Sequence, residues 1–188
     1  MKSFKEFLNE MPKYTDHDYL GFKPVKDKRL SFLEAKWDKV KPYKSNDDVL
    51  IFVNKRRTMA YLGKSKFSEE EQSWKLQIAS WVHLDGSHTS NAHRRVVGVF
   101  TEEDLRAEGY TLTLYLSLYK HGIKLESDNE QFQGAKPLWK AVSRQIQVEV
   151  YDEETKEVIY PIYDQRKIQD NEIWSKDGKH LLKTLRMI

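Results

Sequence analysis

Arg106-Ala107-Glu108-Gly109-Tyr110-Thr111 joins the apolar run "RRVVGVF" (94–100) to a helical stretch, and its residue types suit the holding of an anion. A helix start leaves backbone N–H groups unpaired and carries partial positive charge, so a pyrophosphate can settle there. Glycine lacks a Cβ and lets the backbone come close. Thr111 adds a hydroxyl that can donate, while its β-branch narrows the space. The same residues also suit an ordinary helix start, with Glu108 well placed in the first turn and Gly109 incidental.

A second group could move protons. Glu126, Asp128 and Glu130 cluster after the apolar "IKLES" (123–127), and an ionised carboxylate can accept a proton. Asp128 is the first choice of base. Ser127-Asp128-Asn129 equally suits capping of the next segment through side-chain to backbone bonds. Tyr151, Tyr160 and Tyr163 carry hydroxyls that can donate a proton, though packing explains each of them more readily. His83, Asp85, His88 and His93 fall in the polar stretch "HLDGSHTSNAH", but their spacing matches no metal-ligand motif and the stretch reads as a loop. No metal site is expected. Lys55-Arg56-Arg57 and Arg94-Arg95 read as solvated hairpin tips.

The elements that must position these groups follow from periodicity. "LSFLEAKWDKVK" (30–41) places Phe32, Leu33, Lys36, Trp37 and Val40 at helical spacing. "DVLIFVNK" (48–55) and "MAYLGKSKF" (59–67) are strands paired across 55–58, "SWKLQIASWVHL" (73–84) alternates as a strand, and 94–100 is another. A helix is predicted from about Glu108 to Lys120. Its Leu112, Leu114, Tyr115, Leu116, Leu118 and Tyr119 leave little polar face, so it should be buried on several sides. Then come a strand at 123–127, a helix at 134–145 with Pro137 in its first turn, and strands at 146–152 and 157–164 joined by "EETK". "WSKDGKHLLKTLRMI" (174–188) reads as a last strand or short helix, with Lys179, His180, Lys183 and Arg186 on its solvated side. The whole is a mixed α/β domain in which the strands before and after the 108–120 helix should be parallel.

This order resembles the GNAT N-acetyltransferase superfamily. In that family Gln/Arg-x-x-Gly-x-Gly/Ala follows the fourth strand, and Arg106–Thr111 occupies the place, with Thr111 where Gly or Ala is usual. The resemblance implies a GNAT-like fold, with the pyrophosphate of acetyl-CoA or another acyl-coenzyme A at Arg106, Ala107, Glu108, Gly109, Tyr110 and Thr111. It puts the pantetheine arm along Val99 and Phe100, between splayed fourth and fifth strands. It also implies N-acyl transfer to a host protein or small amine, with Asp128, Glu126 and Tyr151 as catalytic candidates. Many members carry a tyrosine acid on the helix after the fifth strand. Trp139 stands there, and an indole N–H is no usable acid at neutral pH. The segment "GIKLESDNEQFQGAKPLWKAVSR" (122–144) is similar to a group of phage-encoded GNAT-like proteins through Ser127, Asp128, Gln131, Gly134, Leu138, Trp139 and Val142.

The start agrees with that source. "MKSFKEFLNE" (1–10) puts Phe4, Phe7 and Leu8 on one helical face and resembles the capsid-targeting peptides of large tailed phages, which a prohead protease clips after Leu/Ile-x-Glu. Leu8-Asn9-Glu10 implies a cut between Glu10 and Met11. Residues 1–10 would then be a leader and 11–188 a single GNAT-like domain, found in the capsid interior or the infected host's cytoplasm. A catalytically inactive GNAT-fold protein, injected to bind or inhibit a host defence factor, is the alternative implied function.

Composition sets the outer limits. The 188 residues hold no cysteine, which excludes disulfides, thiol catalysis and Cys-type zinc sites. Lys+Arg 32 against Asp+Glu 29 gives a net charge of +3, so the balance does not point to nucleic acid. No apolar run approaches the ~18 residues needed to span a membrane.

Overall fold

The computed structural model describes residues 27–44, 49–85, 93–128, 135–162, 173 and 183–188. Among them run, in order, β1 (Asp27–Arg29), α1 (Leu30–Lys36), β2 (Trp37–Val40), β3 (Leu50–Asn54), β4 (Met59–Ser68), β5 (Ser73–Asp85) and β6 (His93–Thr101). A 3-10 helix (Glu103–Glu108), α2 (Tyr110–Lys120), β7 (Lys124–Glu126), α3 (Ala135–Ser143), β8 (Val148–Asp152), β9 (Glu157–Ile162) and β10 (Thr184–Met187) follow. The leader with its Glu10–Met11 site, His88, Glu130, Gln131, Gly134 and Tyr163 lie outside the described residues, as does the side chain of Tyr160.

The strands form one mixed sheet in the order β2-β3-β4-β5-β6-β7-β10-β8-β9, with β1 added to β5. Among the described residues its one parallel pair is β6 with β7, as a strand-helix-strand crossover through α2 requires. The other pairs are antiparallel. The α/β class and the mixed sheet expected from the order of elements are therefore present.

Each face of the sheet buries its own apolar cluster. On one face Val53, Leu62, Val82, Leu84, Leu125 and Val150 meet Leu114, Tyr115 and Leu118 of α2 and Trp139 and Val142 of α3. On the other, Leu33 of α1 packs with Phe52, Tyr61, Leu76, Ile78 and Trp81. The expected burial of α2 on several sides is met, since Leu114 through Leu118 are all buried. This helix ends in two crossed bonds, Ile123 N–H to Leu118 O and Gly122 N–H to Tyr119 O, both 2.9 Å. Gly122 takes the left-handed conformation (φ +82°) that such an ending needs.

Two expectations fail here. The helix expected over 30–41 stops at Lys36, and Trp37–Val40 forms β2 against β3. Leu33 and Val40 share helical spacing but serve opposite faces of the sheet, which one straight helix could not do. Trp37 instead stacks on Tyr61 with ring centroids 4.8 Å apart, and Phe32 is half exposed. The last segment is a strand, but its charged residues are not all solvated. Lys183 pairs with Asp152 and Arg186 with Glu126, because β10 is an inner strand with neighbours on both sides.

Candidate active site at the parting of β6 and β7

β6 is nine residues long, yet only His93–Arg95 pair with Lys124–Glu126 of β7. On its other side β6 stays paired with β5 as far as Thr101. The register there slips between His83 and Leu84, because Gly98 faces His83, Val96 faces Leu84, and Val97 is extra. An extra residue bends a strand and tightens its twist. The bulge thus sits where β6 leaves β7, and it explains why the two strands separate beyond Arg95.

The segment expected to hold an anion stands beyond the far end of β6. Arg106, Ala107 and Glu108 close the 3-10 helix, and the Glu108 side chain is exposed. Gly109 is left-handed (φ +73°, ψ 18°) and α2 begins at Tyr110. A Cβ on Gly109 would meet nothing within 4 Å, so the glycine answers a backbone need and leaves open space beside it. The first turn of α2 is fastened to the sheet by hydroxyls. Thr111 Oγ1 lies 2.5 Å from Thr101 Oγ1 and 3.0 Å from Ser80 Oγ, and Ser80 Oγ donates to Phe100 O at 2.9 Å. The Thr111 hydroxyl, expected as a phosphate donor, is engaged with the strands. Val99 packs against the α2–α3 cluster, while Phe100 packs on the α1 side and stacks on Trp81 at 6.1 Å. The two side chains therefore leave β6 on opposite faces.

The carboxylate candidates meet a different setting. Glu126 is 2% exposed. Its Oε1 accepts from Arg95 Nη2 at 2.7 Å and Nε at 3.2 Å, and its Oε2 accepts from Arg186 Nε at 2.7 Å. Strand register carries the pattern across the sheet: Asp85 faces Arg95, Arg95 faces Glu126, Glu126 faces Arg186, and Arg186 faces Glu149. The sign alternates over five strands. Arg95 also reaches Glu153, which accepts a bond from Thr184 Oγ1 at 3.2 Å. Burial pulls the Arg95 guanidinium down, and Glu126, Glu153 and Asp128 more than restore it, leaving it above its ordinary value.

Several expected roles change in consequence. Glu126 has both oxygens committed to guanidinium groups, which leaves neither placed to take a proton from a substrate. Arg95 is no hairpin tip. Tyr151 lies beneath the Arg186 guanidinium, 3.3 Å from ring centroid to Cζ. Trp139 is buried and meets Tyr115 edge-to-face at 5.9 Å. Asp128 is half-buried within electrostatic reach of Arg95. His83 lies in β5, within the strand expected over 73–84, while Asp85 at the end of β5 and His93 at the start of β6 are in strands where a loop was expected. The His93 ring nitrogen Nε2 lies 2.8 Å from Met187 O. Among the described residues no three metal-ligating side chains gather. The Lys55–Thr58 turn is, as expected, an exposed tip, with Arg57 left-handed at φ +55°.

Sequence reasoning missed the charged row. One signal for the row was present: Arg186 is a lone charge set between buried apolar residues, Leu185 and Met187, in a short strand. No protein-family model matches the chain, and neither does a curated protein or a solved structure.

Proposed function

We propose that the chain is a phage-encoded GNAT-like protein that binds an acyl-coenzyme A at the Gly109 turn and passes the acyl group to an amine of a host protein or small molecule. The parting of β6 from β7 below a left-handed glycine and a buried helix carries this reading. The helix N-terminus supplies partial positive charge for a pyrophosphate, and the backbone of Val96–Thr101, turned away from β7, supplies polar groups for an extended arm. Val99 and Phe100 would contribute through that backbone, since their side chains pack into the two cores.

Calorimetric titration with acetyl-CoA tests it. Gly109→Trp fills the space that is open beside the glycine and should weaken binding about tenfold or more. Gly109→Ala, with the same backbone strain and little bulk, should bind better than the tryptophan variant. Absence of binding to the unaltered chain, or equal affinity in the tryptophan variant, overturns the reading.

The commitment of Glu126 to two guanidinium groups and of Tyr151 to Arg186 favours a second reading. In it the same fold binds without turnover, is carried in the phage head by residues 1–10, is clipped after Glu10, and acts by binding a host factor. It predicts acetyl-CoA binding with no release of coenzyme A, and virion protein that begins at Met11 by mass spectrometry. Virion protein retaining residues 1–10 would count against it.

A further inference from the structure

We propose that His83 takes the proton from the attacking amine in this acyl transfer, an inference that rests on the acyltransferase reading above. Val82 and Leu84 point into the α2–α3 cluster, so the alternation of β5 directs His83 to the opposite face. Its partner across β6 is Gly98, beside the extra residue Val97. A side chain on Gly98 would meet His83 Cβ at 3.6 Å and Trp81 Cζ3 at 3.8 Å, so the glycine leaves the backbone uncovered next to the imidazole. Bulges of this kind occur next to active sites, where they re-aim side chains. This one lies at the point where β6 leaves β7, the place the reading assigns to the thioester end of the arm.

The chemistry suits a neutral imidazole. Burial pulls the His83 pKa below its ordinary value, against the opposing effect of Asp85, so the ring is an acceptor at pH 7. Of the charged groups facing it, Asp85 lies on its own strand and Arg95 stands across from Asp85 on β6. Its β4 partner, Met59, is uncharged. In the step itself the amine nitrogen attacks the thioester carbonyl carbon and loses a proton to the imidazole. The C–S bond breaks, its electron pair stays on sulfur, and the thiolate takes a proton from solvent. The imidazolium then returns its proton to solvent.

The test uses the full chain with acetyl-CoA and poly-L-lysine, following coenzyme A release from pH 5 to 9, beside calorimetry with acetyl-CoA. His83→Asn and His83→Gln should bind acetyl-CoA as the parent does. Release should fall by about 10²- to 10⁴-fold, and the decline on the acid side, where His83 becomes protonated, should disappear. Two variants guard against one failing to fold, and thermal melting identifies which is intact. A folded variant that keeps the rate or the acid-side decline overturns the assignment. Binding by the parent chain without coenzyme A release also overturns it and leaves the binding reading standing. Failure of the parent to bind removes the proposed function itself.

Discussion

The first residues of β6 lie against β7 and are held by ions, with Arg95 on Glu126 and Glu126 on Arg186, nearly all of it out of water. The last residue, Thr101, has no strand on that side among the described residues. It is held instead by neutral hydroxyls, Thr101 with Thr111 and Ser80. Buried ions are tolerated only when paired and become a large liability when one partner is lost. Neutral hydroxyl contacts each contribute little. The closed end is therefore rigid and unforgiving, and the open end is cheap to change. That is a sensible division for a scaffold that fixes where two strands part while leaving the mouth between them adaptable.

Substitutions can break this comparison in order of size. Glu126→Ala strips the anion from between two guanidinium groups and should destabilise the chain by about 3 to 5 kcal/mol, read as a lowered midpoint in urea. A loss under about 1 kcal/mol would mean the row behaves as a surface pair and the contrast fails. Gly109→Ala places a side chain in the left-handed region and should cost about 1 to 2 kcal/mol by the same measurement. Thr111→Val keeps the shape and removes the hydroxyl, for about 1 kcal/mol. The comparison sharpens with the doubles. Thr111→Val should couple to Thr101→Val and add independently to Glu126→Ala, since coupling fades between sites that share no partner.

Much of the frame was legible. Alternating Trp74, Leu76 and Ile78 gave β5, the near-continuous apolar surface of 112–119 gave a buried α2, and Pro137 fell in the first turn of α3 as its geometry demands. The failures share a cause. Helical spacing across Leu33 and Val40 cannot reveal that the two serve different faces. No local pattern says that β10 lies between β7 and β8, and without that placement Arg186 reads as a solvated residue. The charged row exists only once register is known, because Asp85, Arg95, Glu126, Arg186 and Glu149 are scattered over the chain. The turn at Gly109 was legible as a turn, but the fate of the Thr111 hydroxyl depended on Ser80 and Thr101, which arrive from other strands.

β10 has a consequence for how the sheet is completed. β7 is bonded to β6 and β10, and β8 to β10 and β9. Among the described strands, β10 alone pairs with both parts, and its neighbourhood adds Ser127 N–H to Leu185 O at 2.8 Å, Leu185 N–H to Ser127 Oγ at 2.9 Å and Ile188 N–H to Gln147 O at 3.1 Å. Before β10 is seated, the strands on its two sides form separate sheets, each with a bare edge of the sort that recruits other strands. Seating β10, rather than the central helix, is the step that covers both of those edges.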